Sequence, residues 1–383
     1  MSIFTIVRHA EAEGNFYRRA HGHYDSLLTP NGEAQVAALR RRFMGTRFDA
    51  VYASDLFRAR RTAAALIRRE RHVKLMPALR ELHLGPWEDV PWGEWAARDP
   101  ESLWVFMHEP WRFAPQGAVG EPMAAVGGRM CEALRLLART HPDDEVAVVS
   151  HGLAIRALMA ALSGLPPERV HELPHGDNTS VSRVEWDGVG RPRVFFYGDN
   201  THLGNLSTLG RQNWWRKDSL QADTNLWFQS VRLPEDAALA LSFRRQAWQA
   251  VYGTMLGFSD ALMGANTARM AALHPAAVTF AMRGWEPVGL VELDPAEVCR
   301  GGGGHISLVY LAPEARGLGL GAQLIGHAVS VYRGLGRRTL HLRVAEANHA
   351  ARRLYEKTGF RVSAYERGLH GVLLVMTQSI AVN

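Results

Sequence analysis

Cysteine is almost missing from this chain. Among its 383 residues there are two, Cys131 and Cys299, far apart and without partners at metal-ligand spacing. A disulfide scaffold or a zinc site is therefore not expected, and a reducing cytoplasm fits. Lysine is nearly as scarce, with Lys74, Lys217 and Lys357 the whole supply. The formal charge of +6 thus rests on arginine. Arg40–Arg42 and Arg68–Arg71 fall among helix formers and read as solvated faces. A charge this small, spread along the chain, gives no nucleic-acid footprint; attraction for small anionic substrates is the more economical reading. Long apolar runs are lacking too. The N-terminal one is short and runs straight into Arg8, unlike a signal peptide. Val146 to Leu165 is broken by His151 and Arg156, so no membrane span is expected.

What is present, 47% hydrophobic and 21% charged residues, describes a soluble globular protein. The length exceeds one ordinary core, so two domains are expected. In the first half, strand-like runs at Phe4–Val7, Ala50–Ala53 and Val146–Val149 alternate with helical patterns around Gly32–Phe43, Arg58–Arg69 and Ala124–Ala138. Strands separated by helices predict an α/β domain with a largely parallel sheet, whose ligands gather at the carboxyl ends of the strands. Near residue 200 the texture turns irregular and polar, as linkers are. Beyond it, Leu226–Leu233, Val278–Met282, Val288–Leu293, His305–Leu311 and Thr339–Val344 read as strands. Leu239–Val251, Leu318–Tyr332 and Ala350–Lys357 read as helices, and two further strands close a second, α+β unit. Thr254–Met270, with three methionines, reads as core or acceptor-groove lining.

Chemistry-bearing residues of the first half fall at the predicted strand ends and turns. They are Arg8, His9, Glu11 and Asn15 in "VRHAEAEGN", Arg58 in "SDLFRARRTA", Glu81 in "LRELHLGPWED" and His151 in "VVSHGLAIRAL". A neutral, oriented imidazole attacks phosphorus, arginines clamp phosphate oxygens, and a carboxylic acid protonates a leaving oxygen and then activates water. These motifs, in this order, resemble the histidine phosphatase (phosphoglycerate-mutase-like) superfamily, and "DSLLTPNGEAQ", "GEPMAAVGGRM" and "DNTSVSRVEW" resemble its connecting segments. Ala10 departs from the glycine the family most often has there. The resemblance implies a three-layer α/β domain over residues 1–204 with His9 as phosphohistidine nucleophile. It further implies Arg8, Arg58 and His151 as phosphoryl-binding groups, Asn15 as an accessory contact and Glu81 as proton donor, with no metal or cofactor. The compact domain favours hydrolysis over mutase chemistry. Five tryptophans between Gly85 and Pro122 (Trp87, Trp92, Trp95, Trp104, Trp111) pack a lid or meet an organic leaving group. His21 with His23, and His171 with His175, lack carboxylates or cysteines to complete a metal shell.

The second half holds "HISLVYLAPEARGLGLGAQLIGHAV", a strand, a glycine-rich turn and a helix suited to a pyrophosphate. A Rossmann reading lacks its third glycine and its acidic residue, and a Walker reading lacks its lysine. With "EANHAARRLYEKTGFRV", the turn resembles GNAT-type N-acetyltransferases. The resemblance spans residues 226–383, with 205–225 as linker. It implies acetyl-CoA as cofactor, Val309 and Leu311 on the pantetheine arm, and Arg316, Gly317, Leu318, Gly319, Leu320 and Gly321 around the pyrophosphate. Asn348 would contact the cofactor and Tyr355 would protonate the departing thiolate. Glu292 is a candidate base for the amine, with a water chain as the other choice. The expectation is a cytoplasmic bifunctional enzyme acting on a small phosphate ester and an amine acceptor, with a homodimer left open. The rivals are a mutase fused to the transferase and a phosphatase carrying a non-catalytic acyl-CoA sensor.

Overall fold

The computed structural model describes residues 1–67, 72–115, 120–212, 225–297 and 302–382. Cys299, Trp214, Trp215 and Arg68–Arg71 lie outside the described residues.

Apolar runs of Val, Ile and Ala form the central parallel strands, β1 (Ser2–Arg8), β2 (Ala50–Ala53), the two-residue edge β3 (Lys74–Leu75), and β4 (Glu145–Ser150). β5 (Val181–Trp186) and β6 (Arg193–Asp199) complete the order β3-β2-β4-β1-β5-β6. The expected pattern of helix-separated strands omits this last pair. β5 runs antiparallel to β1, and β6 antiparallel to β5, a pairing that needs no crossover helix between them.

Helices cover both faces. They are α1 (Glu13–Tyr17), α2 (Pro30–Arg42), α3 (Phe57–Ala63), α4 (Trp92–Arg98), α5 (Pro100–His108), α6 (Met123–Thr140) and α7 (Gly152–Leu162). The Gly32 N–H donates to the Thr29 hydroxyl at 2.9 Å and Pro30 follows the cap, which fixes where α2 begins. Met123, Val126, Met130, Leu134 and Leu137 recur at helical spacing and bury one face of α6. Alternation along the strands sends Phe4, Ile6, Val146 and Val148 to the α6–α7 side. Val7, Val51, Ala147 and Val149 face α2 and α3, and the Ala10 methyl fills part of that same layer. This is a three-layer α/β domain.

After one turn, α8 (Leu209–Gln212), and the undescribed segment, the chain forms β7 (Leu226–Ser230), α9 (Ala237–Tyr252) and α10 (Asp260–Leu273). It continues through β8 (Val278–Arg283), β9 (Glu286–Asp294), β10 (Gly304–Leu311), α11 (Gly321–Gly334), β11 (Thr339–Ala345), α12 (His349–Thr358), β12 (Arg361–Gly368) and β13 (Gly371–Ser379). The methionine-rich stretch supplies α10, started by a Ser259 cap. The sheet runs β12-β13-β11-β10-β9-β8-β7 and is antiparallel except at β10–β11. Those two pair only from Gly304↔Leu340 to Ile306↔Leu342 and then part, although both strands continue. Among the described residues no helix is long and apolar enough to cross a membrane.

The halves meet through α1 and α11. Tyr17, 3% exposed, sits in the second core with Leu226, Ile325 and Phe360. Gly326 permits this approach, because a Cβ there would collide with the Tyr17 side chain. Arg333 pairs with Glu13 at 3.0 Å. Ser330 donates to Asp89 at 2.6 Å and accepts from Arg19 at 2.9 Å. The start of the polar stretch stays with the first half: Ser207 and Thr208 donate to Asp177 at 2.6 and 2.7 Å.

Candidate active sites

β1 and β4 pair with Arg8 opposite Ser150, so the next residues, His9 and His151, leave the sheet together. Their ring centroids lie 5.1 Å apart. His9 Nδ1 sits 2.7 Å from the Ala10 carbonyl oxygen. A carbonyl only accepts, so Nδ1 carries the proton and Nε2 keeps its lone pair. Burial, then the Arg58 and Arg8 guanidiniums, hold His9 well below the ordinary imidazole range. Burial and Arg58 do the same to His151. Neither ring nitrogen of fully buried His151 has a hydrogen-bond partner among the described residues. A buried polar group left so calls for a ligand.

Arg58, in the opening turn of α3, donates to the Tyr24 carbonyl at 2.9 Å and the Gly22 carbonyl at 2.6 Å. Arg8 donates to the Gly176 carbonyl at 2.6 Å. Glu81 follows β3 and reaches the start of α7, where its carboxylate accepts the Leu153 N–H at 3.0 Å and the Ala154 N–H at 2.8 Å. Arg8, His9, Asn15, Arg58 and Glu81 line one cavity, with His151 against the His9 ring. Glu11 instead accepts the Thr29 hydroxyl at 2.7 Å, a buried brace for the loop.

Sequence reasoning missed the groups that hold these in place. Asn178 donates to the His9 carbonyl at 2.9 Å, and Thr62 accepts the Ala10 N–H at 2.9 Å. Glu88 takes the backbone N–H groups of Gly22, His23 and Tyr24, shaping the loop whose carbonyls hold Arg58. Arg129 spans the Ala78, Arg80 and Glu81 carbonyls. Motif segments containing Asn178 and Glu88 were visible, but backbone-directed contacts leave no spacing to read.

Away from the phosphoryl pocket, the wall carries Arg18, Arg156 and His175 beside Trp92, Phe106 and Met107. Trp95 is fully buried and stacks with Trp87 and Trp92 at 4.8 and 5.5 Å. Lid packing therefore accounts for most of the indoles, and Trp92 is the one that reaches the cavity; Trp104 stacks on His108 and Trp111 meets His171. His21 contacts Asp89 at 2.9 Å, His23 the Glu81 carbonyl at 2.9 Å, and His175 Arg156 at 3.0 Å.

Residues 4–199 match the model of the histidine phosphatase superfamily (branch 1). The chain belongs to that superfamily. A probable phosphoglycerate mutase GpmB of Serratia proteamaculans is 36% identical over 52% of this chain and 93% of that protein. A metal-independent phosphoserine phosphatase of Arabidopsis thaliana is 33% identical over 40% of this chain and 66% of that protein. The solved structure of Bacillus stearothermophilus YhfR aligns with a TM-score of 0.50 and 32% identity, covering 53% of this chain and 99% of that one.

The histidine phosphatase domain is joined to another enzyme domain: residues 247–360 match the acetyltransferase (GNAT) family. That family implies acetyl-CoA as cosubstrate. A cleft opens where β10 and β11 part. Val309, Leu311, Arg316, Gly317, Gly319, Leu320, Gly321, Asn348 and Tyr355 line this cleft; Leu318 projects from the turn, 45% exposed. Gly317 and Gly319 both have φ of +77°, a conformation that costs other residues strain. The turn leads into α11, which starts without a side-chain cap and so presents backbone N–H groups. Asn348 accepts the Ala351 N–H at 3.1 Å, capping α12 at the cleft wall. Burial pushes the Tyr355 hydroxyl up to about 12, keeping its proton on at working pH. Glu292 is not placed in the cleft, as a base for the amine would be. It is fully buried, ion-paired to Arg244 and hydrogen-bonded by Thr267 at 2.7 Å, and it does not line the cleft.

Proposed function

We propose that residues 1–204 hydrolyse phosphomonoesters without a metal, through phosphohistidine on His9, while residues 226–383 transfer acetyl from acetyl-CoA to an amine, with 205–225 joining them. The observation carrying the first half is the convergence of Arg8, His9, Arg58 and Glu81 on one cavity, with His151 packed against the His9 ring. His9 Nε2 attacks phosphorus and the P–O ester bond breaks. Arg8, Arg58 and His151 take the charge on the phosphoryl oxygens. Glu81 protonates the leaving oxygen, and the Leu153 and Ala154 N–H groups stabilise the carboxylate that remains. That carboxylate then removes a proton from water, which breaks the P–N bond and restores neutral His9. Asn15 borders the entrance. In the second half the amine attacks the thioester carbonyl, the C–S bond breaks, and Tyr355 protonates the thiolate. With Glu292 tied to Arg244, a water chain takes the amine proton.

Arg18, Arg156 and His175 favour a compact phosphate ester with a second anionic group, set against the Trp92–Phe106 wall. The relatives' names support this class, since phosphoglycerate and phosphoserine each pair a phosphate with a carboxylate. The first name also supports the mutase reading. Incubating the full chain with phosphoserine and phosphoglycerate separates the two. We expect release of inorganic phosphate, abolished by His9→Ala and untouched by Tyr355→Phe. With an amine panel, Tyr355→Phe slows thiol release from acetyl-CoA by about 10²–10⁴-fold. Phosphate retained on an isomerised organic product indicates a mutase, and thiol release independent of Tyr355 contradicts its role.

A further inference from the structure

Between β10 and β11 the parallel register sets His305 directly beside His341. Their neighbours Ile306, Leu340 and Leu342 belong to the core under α11, so alternation turns both imidazoles to the opposite face. The ring centroids lie 4.6 Å apart, and the residues are 7% and 2% exposed. Among the described residues neither nitrogen of His341, nor Nδ1 of His305, makes a well-aligned hydrogen bond, and His341 has only a weak approach to the Gly304 backbone. Two adjacent buried imidazoles so poorly satisfied are costly unless something joins them.

Glu297, just past β9, supplies the third group at a partly open rim. Its Oε1 accepts from Arg343 at 2.7 Å, and its Oε2 lies 3.5 Å from His305 Nε2. That separation is longer than a good hydrogen bond. It is close to the spacing of about 3.4 Å between two ligands of a tetrahedral ion bound at about 2.1 Å. Ligand atoms from all three residues lie within 4.8 Å of one another. None of the three lines the acyl-carrier cleft or the phosphatase cavity.

We propose that Glu297, His305 and His341 bind one divalent d-block cation of the Zn²⁺ class. Two imidazoles and a carboxylate suit such an ion, and the fourth position opens toward the rim at Glu297. Arg343, held on Oε1, orients the carboxylate from outside as partners of ligands do. The ion ties β10 to β11 at the end where they pair, immediately before the gap that forms the cleft. Its role is to fix that gap, and binding to the folded state alone raises stability by mass action.

The full-length protein, dialysed against chelator and then against buffer, tests this with Co²⁺ and Zn²⁺ alone. One equivalent of Co²⁺ should give the intense visible bands of a tetrahedral site, displaced by Zn²⁺, and micromolar Zn²⁺ should raise the melting temperature. His341→Ala should abolish both effects. Glu297→Gln, at a half-open position where folding is not at stake, should weaken binding about tenfold or more. No stoichiometric binding by wild type overturns the proposal. So does binding or a thermal shift that survives both replacements, since the ion then sits elsewhere.

Discussion

His9 is a useful nucleophile only while neutral, and its surroundings enforce that state. Burial and two guanidiniums lower its proton affinity, so it stays deprotonated as pH falls through the ordinary imidazole value of about 6.5. After correction for the substrate's second ionisation near pH ~6, kcat/KM of the phosphatase should show no acid-side loss through this range, the loss from protonating His9 coming only at lower pH. A loss centred near 6.5 contradicts the account. The same depression affects stability. A histidine whose folded value lies below its unfolded one contributes fully above about 6.5, and that contribution is lost as pH drops toward the folded value. At this scale the sequence was legible where motifs carried chemistry. Arg8, His9, Arg58, Glu81 and Tyr355 reach cavities as expected, and His151 meets His9. Glu292 looked free because nothing near it in sequence announces Arg244, which arrives from α9. His305 and His341 escaped notice because a helix separates them along the chain, and only strand register brings them together.

Among the elements, α1 has a double duty that its five residues could not advertise. A helix this short shows no periodicity to read. One side leads into Arg18, Arg19 and His21 along the phosphatase cavity, and the other buries Tyr17 against α11. The contact depends on the bare backbone at Gly326. Gly326→Val should therefore force Tyr17 out and cost about 1–3 kcal/mol, the usual penalty of overpacking, read as a lower melting temperature of the full chain. An unchanged melt means that α1 does not hold α11. β4 and α6 were legible within a residue or two, since they bury continuous or periodic apolar faces. α11 begins three residues later than its pattern suggests, at the end of the glycine turn, and α10 reads in sequence only as apolar lining. The antiparallel pair β5–β6 was not legible, because no helix separates the two strands and β6, at the edge, has no fully buried residue.

Across the whole molecule, two enzyme families share one chain and one interface. Two motif sets that do not interleave along the chain lead one to expect each half to fold alone. Tyr17 complicates that expectation, because part of the second core is a side chain of the first half. Glu13–Arg333 and Asp89–Ser330 add a polar rim around it. The two clefts nonetheless share no lining residue. The central claim is that phosphoryl groups pass through His9. The most direct measurement is an alkaline quench during turnover of a phosphate ester, followed by mass spectrometry of the peptide spanning residues 3–15. The account predicts a phosphoryl group on His9 that appears before steady state and chases into inorganic phosphate, with neither adduct nor turnover in His9→Ala. Turnover that persists in His9→Ala, or that proceeds with no adduct on that peptide, would contradict it.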